Sequence, residues 1–431
     1  MLATIGFIMV IILVYCLITK KLLPPVAFVL LPIIAALVAG FNIFDIGKFA
    51  AKGVSGMVNT VSLFVFSISF FSLMNDAGVF DGVVNMLVRK AGTNITAVML
   101  ATAAVGIIGH LDGSGATTFI ITITAMYPIF QKLKLDRRYL MTITCIAIGV
   151  MNVVPWGGHT LRAATVLDTD AAALWRSIIP MQVIMVGVTF VMAFIFSFRE
   201  KRRLKGVAVS VETSTQNELL PEEQKAQTPK WIMYVNYVLT LGVIVLLVTG
   251  WFSSTVVFMV ALAVGLIVNV PSLKEQNERL KKYGVAAMSM VVTLFAAGIF
   301  TGVLSNTKML DAMAQAAVTI IPANMGSYSH IIVALFAVPL IICLGTDSFY
   351  FGLLPVVVGI AKSFGVDPLD VARILIVAEN IGVQISPLSP AAYLGLGMLD
   401  MDIGEHIKFS FPWVWAISIL SVILCIVTGI V

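Results

Sequence analysis

Gly109-His110-Leu111-Asp112-Gly113-Ser114-Gly115-Ala116-Thr117-Thr118 sets an aspartate and three glycines inside a long apolar run. A carboxylate at bilayer depth costs roughly 3 kcal/mol or more by insertion scales. A second interruption of the same kind, Leu344-Gly345-Thr346-Asp347-Ser348, follows about half a chain later. Two such tips at matching positions of two halves predict a duplicated polar site near the membrane midplane.

The rest of the 431 residues support a membrane reading: 59% are hydrophobic and only 11% charged. A soluble domain carries about 25% charged residues. Apolar segments run from end to end, which excludes a soluble enzyme on an anchor. Leu2 to Thr19 has neither a basic start nor a small-residue cleavage site, so it reads as a retained helix rather than a signal peptide. Cys16, Cys145, Cys343 and Cys425 lie in apolar segments without ligand spacing, so no disulfide and no metal cluster is expected.

A spanning helix needs about 20 apolar residues. Candidates are 4–19, 23–41, 57–75, 177–198, 231–250, 253–270, 285–305 and 409–430. Segments 139–158 and 371–390 are also long enough, but Pro155-Trp156-Gly157-Gly158 and Pro387-Leu388-Ser389-Pro390 break them. Segments 94–131 and 328–362 each hold two apolar arms around a polar tip and read as re-entrant hairpins, with tips against protein or a wet cavity. The expected architecture is an all-α polytopic membrane protein with about ten transmembrane helices and two re-entrant hairpins.

Charge supplies the orientation. On this scheme 20 of the 27 Lys and Arg fall on one face; the remainder are Lys48, Lys52, Arg162, Arg176, Lys308, Lys362 and Arg373. The positive-inside rule makes the rich face cytoplasmic and puts both termini outside a cell membrane. The polar stretch 199–230 reads as a cytoplasmic linker between an N-terminal repeat, 1–198, and a C-terminal repeat, 231–431. The halves align. Leu73 to Asp81 matches Val303 to Asp311, Asp112 matches Asp347, and Ile148-Gly149-Val150 matches Ile381-Gly382-Val383, each with a proline soon after. Five crossings per half is odd, so the second copy is inverted, as in secondary transporters whose site lies where repeats meet.

Chemistry concentrates at the tips and breaks. Gly113, Ser114 and Gly115 let the backbone turn, and Thr117 and Thr118 open the second arm. Thr346 and Ser348 flank Asp347 in the same way. Helix N-termini of this kind favour anions. Around the broken helices (139–165 and 371–395), Asn152, Gly157, Gly158, His159 and Thr160 face Glu379, Ser386 and Ser389 as candidate site groups. Arg162 follows the first break, and its planar fork suits a carboxylate bidentately. Asp112, Asp347 and Glu379 are candidates for proton carriage or for a hard cation bound through oxygen. His110 and His159 rank behind them, because a lone membrane histidine is more often a packing residue. No triad signature, metalloprotease histidine pair, P-loop or basic strip is present, which leaves no enzyme class, resident cofactor or nucleic-acid partner to favour.

These residues resemble the citrate–divalent metal:proton symporter family of the ion transporter superfamily. The resemblance spans essentially the whole chain. It is carried by Leu111-Asp112-Gly113-Ser114-Gly115 with Thr117-Thr118, by Pro155-Trp156-Gly157-Gly158 with Thr160 and Arg162-Ala163-Ala164, by Asp347-Ser348-Phe349-Tyr350-Phe351-Gly352 with Pro355, and by Ser386-Pro387-Leu388. It implies proton-coupled uptake of citrate, or a similar carboxylate, with a divalent ion such as magnesium or calcium. It also implies a homodimer with a fixed scaffold and a mobile transport domain working as an elevator. Ser114, where the family often has a second acid, and His159, where it often has proline, depart from the pattern. A sodium-coupled dicarboxylate symporter and a cation/proton antiporter are the alternatives; Arg162 beside the site would repel the antiporter's cations.

Overall fold

The computed structural model describes residues 1–204, 229–319 and 323–431, and every regular element among them is helical. The first half runs α1 (Leu2–Ile18), α2 (Pro24–Val38), α3 (Ile43–Gly56), α4 (Val58–Asp76), α5 (Asp81–Ala91), α6 (Ile95–Gly109), α7 (Gly115–Lys132), α8 (Arg137–Met151), α9 (Gly158–Leu167) and α10 (Ala171–Leu204). The second runs α11 (Lys230–Thr249), α12 (Ser254–Asn269), α13 (Leu273–Asn306), α14 (Met309–Val318), α15 (Ala323–Gly326), α16 (Ser329–Leu335), α17 (Ala337–Asp347), α18 (Leu354–Ser363), α19 (Pro368–Asn380), α20 (Pro390–Met398) and α21 (Ile403–Val427). A π-helical turn, Ser348–Leu353, joins α17 to α18, and a 3-10 turn, Val383–Ile385, lies between α19 and α20.

Local chemistry sets these limits. Asn42, Asn94, Ser114, Asp136, Asp367 and Asp402 accept main-chain N–H bonds at helix starts. Prolines at the first turns of α2, α19 and α20 cost no hydrogen bond there. Among the described residues, six stretches are long and apolar enough to cross a membrane, and four shorter apolar helices accompany them. The protein is therefore multi-pass. The longest such stretch in the α17–α18 region, Ala337–Ser363, is not one rod: Gly345 sits at φ 71°, ψ 166°, and α16 packs back against α18. The α6 and α7 arms likewise pack on each other across the Asp112 tip.

The order of elements recurs. A helix and a short amphipathic helix (α4–α5, α13–α14) precede two arms around a tip, then a broken helix (α8–α9, α19–α20), then a long closing helix (α10, α21). The halves interlock rather than sit apart. α2 and α3 pack on α13, α1 on α14, α4 on α12, and α10 on α19. The broken helices meet where Gly149 touches the other half: a Cβ there would stand 2.7 Å from both Asn380 O and Ile381 Cα. A second apolar cluster closes the N-terminal side, with Phe28 stacked edge-on to Phe351 at 4.9 Å.

Several expected boundaries need correction. Residues 199–204 are not linker; they finish α10, because buried Glu200 accepts Asp136 N at 2.7 Å and the Arg203 guanidinium at 2.6 Å. Beside it, burial opposes ionisation of Asp136, but the hydrogen bonds from Arg138 outweigh it and hold the carboxyl below its usual range. The remainder of the expected linker, 205–228, lies outside the described residues. α13 starts at Leu273, twelve residues before the apolar run expected from 285, because Ser272 caps a charged but helix-favouring segment. Long apolar runs do not reveal α3, α5 and α14, which are amphipathic or short. The 328–362 arms are four helical pieces rather than two.

Candidate functional site

The first tip is an Asx-type turn. Asp112 Oδ1 accepts Ser114 N at 2.8 Å, and Gly113 takes φ 74°. Ser114 then caps α7, its Oγ accepting from Thr117 N at 3.3 Å and from Thr117 Oγ1 at 3.0 Å. Thr118 turns inward, donating to Ser114 O and lying 2.8 Å from His110 Nδ1. Asp112, Ser114, Thr117 and Thr118 thus build the tip itself.

The first break holds that tip. Trp156 donates from Nε1 to Leu111 O at 2.9 Å and packs against Phe71 and Phe258. A side chain at Gly113 would press on its ring, the Cβ falling 3.2 Å from Trp156 Cδ1. Asn152 ends α8, and Gly157 lies so close to its carbonyl that a Cβ would fall 2.0 Å away. Thr160 closes the break by donating to Val153 O at 2.7 Å. On the other side, Gly115 leans on Gln384 and Ala391 of the second break. Both breaks therefore touch the first tip.

The second tip meets both breaks as well. Arg162, one turn into α9, donates from Nε to Asp347 Oδ1 at 2.8 Å, and its Nη2 makes an ion-pair contact of 2.8 Å with the same oxygen. Its Nη1 folds back onto Gly158 O at 2.9 Å, over the space a Cβ at Gly158 would fill. A cavity of about 270 Å³ opens here, lined by Arg162, Gly345, Thr346, Asp347, Ser386 and Ser389 among others. That lies just under the roughly 300–1,000 Å³ of drug-sized ligand sites. Ser386 lies near Ile341 O and accepts from Leu388 N; Ser389 donates to Gln384 Oε1. The Ser348 hydroxyl is buried with no partner among the described residues.

A buried acid joins the first break to the second arm. Glu379 Oε2 receives Tyr350 OH at 2.9 Å and lies 3.1 Å from His159 Nδ1, while Oε1 has no partner among the described residues. His159 comes from the first half, Tyr350 and Glu379 from the second. Apolar packing does not require such a group, and leaving one oxygen unpaired costs free energy. Tyr350 is a site residue that the sequence does not mark, because a tyrosine in an apolar arm reads as packing.

The predicted residues thus form one connected region. Arg162, Thr346, Asp347, Ser386 and Ser389 line the cavity, His159 of the first break pairs with Glu379, and Trp156 ties the first tip to the first break, which Asn152 and Thr160 shape. Asp112 and Asp347 make no hydrogen bond to each other, and no cluster of three or more His, Cys, Asp or Glu suited to hold a metal occurs among the described residues. The arrangement presents one fixed cation, one fixed carboxylate and several hydroxyls to a small polar ligand.

Comparison with known proteins assigns the family. The chain is 33% identical over 431 residues, all of both chains, to a Bacillus subtilis protein named "Citrate transporter". It is also 33% identical, over all of this chain and 99% of the other, to the Bacillus subtilis "Mg(2+)/citrate complex secondary transporter". In fold it resembles the Alcanivorax borkumensis YdaH transporter, with TM-score 0.60 and 15% identity over 88% of this chain and 86% of that one. Residues 3–378 match the citrate transporter family. With tips, breaks and cavity arranged as above, the chain belongs to the citrate transporter family, as a transporter and not an enzyme.

Proposed function

We propose that this protein takes up citrate, or a related di- or tricarboxylate, as a complex with a divalent cation such as magnesium or calcium, by proton symport. The observation that carries this reading is the meeting of Arg162 and Asp347, from opposite halves, at the cavity. A ligand that is itself a carboxylate joined to a cation complements that pair. The relative named for a Mg(2+)/citrate complex, matched over 99% of its length, supports the substrate class. Metal binding also screens the trianion, so the cargo that crosses is nearly neutral, which lowers the cost of a midplane site.

In this mechanism Arg162 and the Thr346, Ser386 and Ser389 hydroxyls receive free carboxylate oxygens, and Asp347 receives the cation. Ser114, Gly115, Thr117, Thr118, Asn152, Gly157, Gly158, Thr160 and Ser348 shape the two tips and the first break around the cargo. Asp112, which shapes the first tip, is a further group for the metal or for the coupled proton. Glu379, bonded to His159 and Tyr350, carries the coupled proton. The two halves are inverted copies, with re-entrant tips, both termini outside and 199–230 cytoplasmic. Transport is an elevator motion of the tips and broken helices against a dimeric scaffold.

The test is radiolabelled citrate uptake into proteoliposomes across a panel of divalent ions with imposed pH or sodium gradients. Uptake that needs both a divalent ion and an inward proton gradient is the expected result. Equal uptake in chelator without a gradient contradicts the mechanism; a sodium requirement without a metal requirement replaces it with sodium-coupled dicarboxylate symport.

A further inference from the structure

Arg162 and Asp347 are the only charged residues lining the 270 Å³ cavity among the described residues. Their side chains are 14% and 24% exposed, so water screens the pair only in part. Arg162 Nε donates to Oδ1 and Nη2 makes its ion-pair contact with that same oxygen; Oδ2 has no hydrogen-bond partner among the described residues. The guanidinium is thus already engaged by a carboxylate, from within the chain, at the cavity where cargo would bind.

We propose that the Arg162–Asp347 pair is a built-in stand-in for the cargo, and that it makes the site accept a metal–carboxylate complex while rejecting either component alone. This rests on the functional reading above. A bare carboxylate reaching Arg162 must displace Asp347, and it leaves that part-buried anion unpaired beside a second negative charge. A bare cation reaching Asp347 leaves the guanidinium unpaired and lies next to it. The complex exchanges both partners at once: its carboxylate takes the Arg162 fork, and its cation takes Asp347, beginning at the free Oδ2. No charge is stranded. Selection by what the wrong ligand leaves unpaired is stronger than selection by added contacts.

The test is equilibrium binding of radiolabelled citrate to the purified full-length protein, with metal-free buffer and with saturating magnesium. Wild type is expected to bind metal-free citrate at least about tenfold more weakly than in magnesium. Asp347→Asn, and independently Asp347→Ser, are expected to bind metal-free citrate about tenfold more tightly than wild type does, with magnesium then changing affinity less than about threefold. In a thermal-shift measurement on wild type, magnesium alone and citrate alone are expected to leave the midpoint unmoved, and the two together to raise it. Either folded variant binding metal-free citrate no better than wild type overturns the proposal and leaves the functional reading standing. So does a wild-type midpoint raised as far by one component as by both. A wild type that binds no citrate even with magnesium overturns the functional reading, and the proposal with it.

Discussion

Arg162 is fixed twice, by Gly158 O on its own helix and by Asp347 across the cavity, so little entropy remains to lose when it meets a ligand. Arg162→Ala is predicted to cut citrate uptake by about tenfold or more while the purified protein stays monodisperse; uptake near the wild-type rate removes its role. Glu379→Gln keeps an acceptor for Tyr350 and cannot ionise. It is predicted to abolish stimulation of uptake by an inward proton gradient while exchange of internal for external citrate persists. Gradient-driven uptake in that variant would move the proton to another group. Arg162, Asp347 and Glu379 are legible in the sequence because a charge in an apolar run is conspicuous. Their partners are not. Arg162 and Asp347 lie 185 residues apart and His159 and Glu379 220, so pairing depends on how the halves meet. Tyr350 is hidden because a tyrosine in a membrane arm looks like ordinary packing.

At the scale of elements, the tips and breaks do the positioning. Gly345 provides the left-handed conformation that turns one apolar run into two arms. The crossing of the two broken helices depends on the missing side chain at Gly149, whose Cβ would press on Asn380 O and Ile381 Cα. Gly149→Val is predicted to destabilise the protein by about 1–3 kcal/mol, as overpacking does, read as a lowered thermal midpoint in detergent; an unchanged midpoint means the helices separate there without cost. Clusters of proline and glycine mark the tips and breaks in the sequence itself. α3 and α5 carry no such mark, because half their face is polar and no apolar run signals them. The end of α10 misleads for a different reason: Lys201, Arg202 and Arg203 look like solvated linker, yet Glu200 anchors that turn to the α7–α8 connection.

On the whole molecule, a tip and a broken helix recur in each half, the halves pack on each other, and Arg162 of the first half joins the second tip and second break in lining the cavity. The similarity in fold to the YdaH transporter extends over most of both chains. Neither the interlock of α1–α4 with α12–α14 nor the seat of the cavity can be read from hydropathy, which reports how deep a segment lies and not which neighbour it touches. On the proposed function, the halves together bind a carboxylate and its cation as one cargo. Counting radiolabelled citrate and radiolabelled divalent metal as they enter the same proteoliposomes tests it most directly. The two labels are expected to enter in a fixed ratio at every external concentration, with neither accumulating without the other. Citrate that accumulates while the metal label stays outside would contradict it.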